Sequence, residues 1–221
     1  MERRAIDSPI ELRANDDGTK ELTGYAAVFY RKGDPGTQYR LWEDTVERID
    51  PSAFASALKR KDDARGLFNH DPSMLLGRVG AGTLKLEVDK TGLRYSIPFD
   101  ESDPDHQRVA RKLERGDLTG SSFAFRATKT EWIMEDDKEQ KGKTREIRTI
   151  QDLELFDVGP VTYPAYQATT AAARSDDQAK QEHDAWKDHL DKEAQESAQE
   201  AVNTELSLTA SRLGLIAATI D

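Results

Sequence analysis

Short stretches of alternating apolar and polar residues, punctuated by Gly, Pro, Asn and Asp, run from Ile10 to Val161 and read mainly as strands. IELRA and ELTGYAAVFY flank the turn residues Asn15, Asp16, Asp17 and Gly18, which predicts a hairpin over residues 10–29. After the loop RKGDPGTQ, LWEDTVERI resumes an extended pattern. Asp50 followed by Pro51 predicts a short helix ending near 59–63, because a carboxylate caps the free amides and proline is tolerated at the first helical position. GLFN is a compact apolar strand that delivers His70 at its end, and residues 77–99 read as a meander that turns at Asp89, Lys90, Thr91 and Gly92. Asp103 and Pro104 open a second helix, HQRVARKLERG, which Gly116 can terminate. Two long strands follow, 121–134 and 144–161, with the polar excursion EDDKEQKGK expected to be mobile between them.

Beyond Tyr166 the physical character changes. Every aromatic residue except Trp186 and every proline lies at or before that point, and the remainder is mainly Ala, Gln, Glu, Asp and Lys. This predicts a body over residues 1–173 and an acidic, helix-prone tail over 174–221. The tail is helix-permissive over 175–197 but too poor in apolar residues to bury much surface by itself. Val202, Leu206, Leu208, Leu213, Leu215 and Ile216 then offer an apolar stripe.

Charge follows the same division. Residues 175–221 carry eleven acids against four bases and supply −7 of the net −10. The nearly balanced body offers no basic face for nucleic acid, and the cluster Arg108, Arg111, Lys112 and Arg115 is diluted by neighbouring acids. The chain has no cysteine, which removes disulfides, thiolate catalysis and sulfur-ligated zinc and fits an intracellular protein. MERRAIDSPIEL lacks a signal-length apolar run, and no segment approaches the about 20 apolar residues of a membrane span. A soluble, cytoplasmic protein without membrane partners is expected.

Two strings half a chain apart carry candidate chemistry: FNHD around His70 and GSSFAF around Ser121 and Ser122. A serine hydroxyl is a feeble nucleophile near neutral pH and needs a positioned base, itself oriented by a third group. His183 and His189 fall in the charged tail, so the body offers His70 and His106 as bases. His106 lies in a first helical turn, where exposure is expected; His70 lies at a strand end, where a locally hydrogen-bonded loop histidine is the alternative. Alternation puts Ser121 with Phe123 and Phe125 and leaves Ser122 on the opposite face with Ala124. Two structural serines at the start of a strand are the bland alternative. Asp157 in LFDVGPVTYPAY is an acid within an apolar run and needs a partner. His70 would serve, and so would Arg78 or Arg126 in a structural ion pair. Asp152 and Glu154 are weaker candidates.

GYAAVF, ERIDPSAFASAL, FNHDPSMLLGRV and LERGDLTGSSFAF followed by LELFDVGPVTYPAY resemble the prohead proteases of tailed bacteriophages, capsid-maturation serine proteases related in fold to herpesvirus assemblin. The resemblance spans residues 22–173. It implies that His70 is the general base, Ser122 the nucleophile and Asp157 the orienting acid, where the family more often has glutamate. Ala124 and Gly159 stand where glycine and serine are expected. The implied fold is α+β, a mostly antiparallel β-barrel-like core surrounded by helices, with a helical or disordered C-terminal tail. The implied activity is that of a serine endopeptidase without cofactor or metal. It works inside the assembling procapsid in the host cytoplasm, on the major capsid protein, its scaffold segment and itself. Dimerisation through a helix is also implied, and the tail becomes a targeting or scaffold segment removed by self-cleavage. Two other readings stay open: a non-enzymatic capsid assembly or scaffolding protein on the same fold, and metal-dependent hydrolysis through His70, Asp71 and nearby acids. The last lacks a second well-placed histidine.

Overall fold

A computed structural model of the chain describes residues 1–42, 44–136, 142–164 and 177–217, with backbone alone at 35 and over 206–217. The chain divides into two units, Met1–Asp177 and Gln178–Asp221. The strands are β1 (Glu2–Asp7), β2 (Ile10–Ala14), β3 (Lys20–Val28), β4 (Tyr39–Trp42), β5 (Thr45–Ile49), β6 (Arg65–Leu67), β7 (Leu75–Arg78), β8 (Lys85–Val88), β9 (Gly92–Pro98), β10 (Gly120–Asp136) and β11 (Thr144–Val161). The helices are α1 (Ala55–Arg60), α2 (Pro104–Glu114) and α3 (Asp177–Ala217).

The strands build two sheets in a mixed α+β fold. One has the order β1-β10-β11-β5-β4, with β6 attached to β11 and β7 to β6; the other has the order β2-β3-β9-β8. The second sheet is antiparallel throughout, whereas β5 and β6 run parallel to β11 in the first. Leu93, Tyr95 and Ile97 of β9, Phe123 and Phe125 of β10, and Phe54 and Ala57 at α1 belong to one buried core. The expected barrel is not closed among the described residues; the core lies between two separate sheets.

Local chemistry sets both ends of α2 and the start of α1. Asp103 accepts the Asp105 amide at 2.7 Å and caps α2, and Gly116 stops it in a left-handed conformation that costs glycine little. Helix α1 starts later than Asp50-Pro51 predicts. The Asp50 carboxylate accepts from the Ser52 amide and hydroxyl at 2.8 and 2.5 Å, which closes a turn before the helix begins. The predicted meander is split: β8 and β9 form a hairpin in the second sheet, but β7 pairs with β6 in the first. Strand β1 was not expected, because its inward residues, Glu2 and Arg4, are charged.

The excursion's residues 137–141 lie outside the described residues. From Asp177 onward the helix-permissive stretch is helical, and Val202 further along the same helix is exposed. The side chains of Leu206, Leu208, Leu213, Leu215 and Ile216 lie outside the described residues. No helix among the described residues is long and apolar enough to cross a membrane.

Candidate active site

Strand β10 carries Ser122 and β11 carries Asp157, side by side in the first sheet. Ser122 stands directly opposite Gly159, and Ala124 opposite Asp157. Phe125 then pairs with Leu155, so Phe156 is an extra residue, a β-bulge. Because cross-strand partners share a face, the bulge puts Leu155 in the core with Phe125 and Asp157 on the other face with Ser122. A regular strand would have put Leu155 and Asp157 on one face.

His70 arrives from β6, which lies parallel to β11 at Asp157 and Val158. Gly159 permits this approach: a Cβ there would sit 2.1 Å from the Leu67 carbonyl oxygen. Past β6 the chain turns through Asn69 and His70, both in the left-handed region with φ of 55° and 56°. That turn brings the imidazole between the Asp157 and Ser122 side chains. His70 Nδ1 lies 2.5 Å from Asp157 Oδ1, and His70 Nε2 lies 2.7 Å from Ser122 Oγ. An ionised Asp157 can only accept, so Nδ1 carries a proton toward it and Nε2 is left to face the hydroxyl.

Ser122 also donates to the Arg4 backbone carbonyl at 2.8 Å. The hydroxyl has one proton for two acceptors, the Arg4 carbonyl and Nε2, and only the hydrogen bond to Nε2 prepares it for deprotonation. Arg4 belongs to β1, which runs antiparallel along the outer edge of β10 with Ala5 opposite Ser122. This strand closes the site, and Ser122 is 2% exposed. A cavity of about 580 Å³ lies beside Asp157, lined by Leu67, Pro72, Leu75 and Phe156 among others, but neither Ser122 nor His70 lines it.

On the opposite face of β1 lies a buried group of four charges. Arg148 Nη1 donates to Glu2 and Glu47 at 2.5 Å each, and Arg4 Nε donates to Glu47 at 2.6 Å. Burial opposes ionisation of Glu47, yet Arg4 and Arg148 outweigh it and hold its carboxyl below the usual range. At Glu2 burial wins over the Arg148 hydrogen bond and raises the carboxyl. The sequence reading missed this group. The alternation of Glu2 and Arg4 in ERRAID was its one visible trace.

The other candidates lie elsewhere. Ser121 is buried on the core face and shares a 2.9 Å hydrogen bond with the Tyr95 hydroxyl. His106 is buried, not exposed: its Nδ1 accepts the Asp100 amide at 3.0 Å and its Nε2 donates to the Leu76 carbonyl at 2.8 Å, which gives it a structural role. Arg78 and Arg126, the alternative partners for Asp157, pair instead with Asp63 and Glu154. Asp71 accepts from the Ser73 amide and hydroxyl, and among the described residues no three His, Asp or Glu side chains gather as a metal site.

An alcohol, an imidazole and a buried carboxylate in series are the arrangement of a serine hydrolase. Residues 8–184 match the model of the caudovirus prohead serine proteases, and the chain belongs to that family. The match is wider at both ends than residues 22–173 and starts just after β1. No curated protein and no solved structure matches the chain.

Proposed function

We propose that this chain is the endopeptidase of prohead maturation, with Ser122 as nucleophile, His70 as general base and Asp157 as the acid that orients the imidazole. The observation that carries the reading is the unbroken series Asp157 Oδ1, His70 Nδ1, His70 Nε2, Ser122 Oγ, with separations of 2.5 and 2.7 Å. Ser122 Oγ attacks the scissile carbonyl carbon while His70 Nε2 takes its proton. His70 then gives that proton to the leaving amine as the C–N bond breaks, leaving an ester on Ser122. Water, deprotonated by the same nitrogen, hydrolyses the ester and regenerates the hydroxyl. Asp157 holds Nδ1–H throughout and stabilises the imidazolium.

The substrates we propose are the major capsid protein, at its scaffold-like N-terminal segment or a separate scaffold, and the enzyme itself. The site is the interior of the procapsid in the host cytoplasm. Residues 174–221 act as a targeting or scaffold segment that self-cleavage removes, and the acidic charge and helical conformation of the second unit support that role. Co-expression with the major capsid protein, read by intact mass, tests the assignment. Wild type shortens the capsid protein and Ser122→Ala leaves it whole; full processing by Ser122→Ala contradicts the reading.

The closure of Ser122 under β1 favours one second reading, a non-enzymatic assembly protein on the same fold. That protein would leave every subunit mass unchanged even with all three residues intact.

A further inference from the structure

Two successive non-glycine residues in left-handed conformation need something to hold them, because the backbone there is disfavoured for L-residues. Asn69 and His70 are such a pair. The Asn69 amide donates to the Pro160 carbonyl at 3.0 Å. The Asn69 side chain grips Thr162, just past the end of β11: Oδ1 accepts from the Thr162 amide at 2.8 Å and its hydroxyl at 3.1 Å, and Nδ2 donates to that hydroxyl at 2.9 Å. We infer that Asn69 and Thr162 form a positioning clamp that fixes the His70 imidazole relative to the strand bearing Asp157. The inference rests on the reading of His70 as general base.

The competing explanation is that asparagine merely tolerates the left-handed region. Asn69→Gly separates the two, since glycine keeps the conformation and deletes the grip. The clamp predicts that Asn69→Gly and Thr162→Val lower kcat on a peptide substrate about tenfold to a hundredfold with KM unchanged, as for a displaced catalytic group. Thr162→Ser, which keeps the hydroxyl, recovers most of that loss. Wild-type kcat in Asn69→Gly, or equal losses in Thr162→Ser and Thr162→Val, overturns the clamp alone. A wild-type enzyme inert on every capsid-derived peptide removes the parent reading and the clamp together.

A second inference rests on the other neighbour of Ser122. A scissile carbonyl carbon must come within about 3–3.5 Å of the nucleophile. The Arg4 carbonyl oxygen already sits 2.8 Å from Oγ, and β1 fills the edge of β10 from Gly120 to Phe125. We propose that β1 is an autoinhibitory strap that leaves the β10 edge when an extended peptide enters. It belongs to this chain beyond the family match, which begins at residue 8.

Hydrogen exchange tests the strap in the wild-type chain carrying a peptidyl phosphonate on Ser122, compared with the unmodified chain. The strap predicts that β1 amides protected in the unmodified chain lose protection in the adduct. Protection retained in the adduct overturns it, while the labelling of Ser122 itself leaves the nucleophile assignment standing.

Discussion

Asp157 and Ser122 occupy one face of neighbouring strands and are joined through His70, which bonds each of them at 2.7 Å or less. Asp157→Asn keeps the shape but offers an amide that can donate toward Nδ1, favouring the wrong tautomer. In the Ser-His-Asp template that change costs on the order of 10⁴ in kcat. A loss of similar order in kcat/KM on a capsid-derived peptide, with circular dichroism unchanged, is expected for Asp157→Asn. A loss under about tenfold would leave Asp157 as packing only.

Gly159 determines how closely the histidine-bearing segment approaches. A methyl group at this position would overlap the Leu67 carbonyl oxygen, which is backbone and cannot rotate away. Gly159→Ala is therefore expected to destabilise by about 1–3 kcal/mol, in the range for overpacking, and to lower activity by pushing β6 and His70 off the strand. Chemical denaturation and peptide hydrolysis on the same preparation check both. Unchanged stability with unchanged rate would mean that neither the Leu67 carbonyl nor the φ of 153° at residue 159 resists a side chain there.

The buried charge group predicts an asymmetric stability profile. Glu47 has its folded-state pKa lowered, so its contribution is present above the unfolded glutamate value of about 4.3 and is lost as pH falls through the folded value. Glu2 has its pKa raised, so its contribution has the opposite sign: it is present below the unfolded value and lost as pH rises through the folded one. At pH 7, Glu47→Gln should cost about 3–5 kcal/mol, the range for breaking a buried ion pair. Glu2→Gln should cost less. The Glu47→Gln deficit should shrink when urea melts are repeated below pH 4. Equal losses in the two variants at neutral pH contradict this division.

The sequence made the side-chain chemistry more legible than the path that assembles it. His70, Ser122 and Asp157 stand out by residue type, and strand alternation separates Ser122 from Ser121, which bonds Tyr95 on the core face. The bulge at Phe156 left no comparable trace, because its effect depends on which residue of β10 pairs with Asp157. β1 was invisible for a different reason. A strand whose inward residues are Glu2 and Arg4 lacks the apolar alternation that marks a strand, and its burial is offset by partners more than forty residues away, Glu47 and Arg148. His106 was misjudged as exposed because helical position alone does not reveal that the Leu76 carbonyl waits beside it.

Covalent labelling reads out whether His70 activates the Ser122 hydroxyl. The purified full-length chain is treated with a small fluorophosphonate, and the adduct is mapped by peptide mass spectrometry, beside His70→Ala. A single phosphonylated residue, Ser122, is expected, with labelling abolished in His70→Ala. Modification of another serine in place of Ser122, or equal labelling without the imidazole, would contradict it.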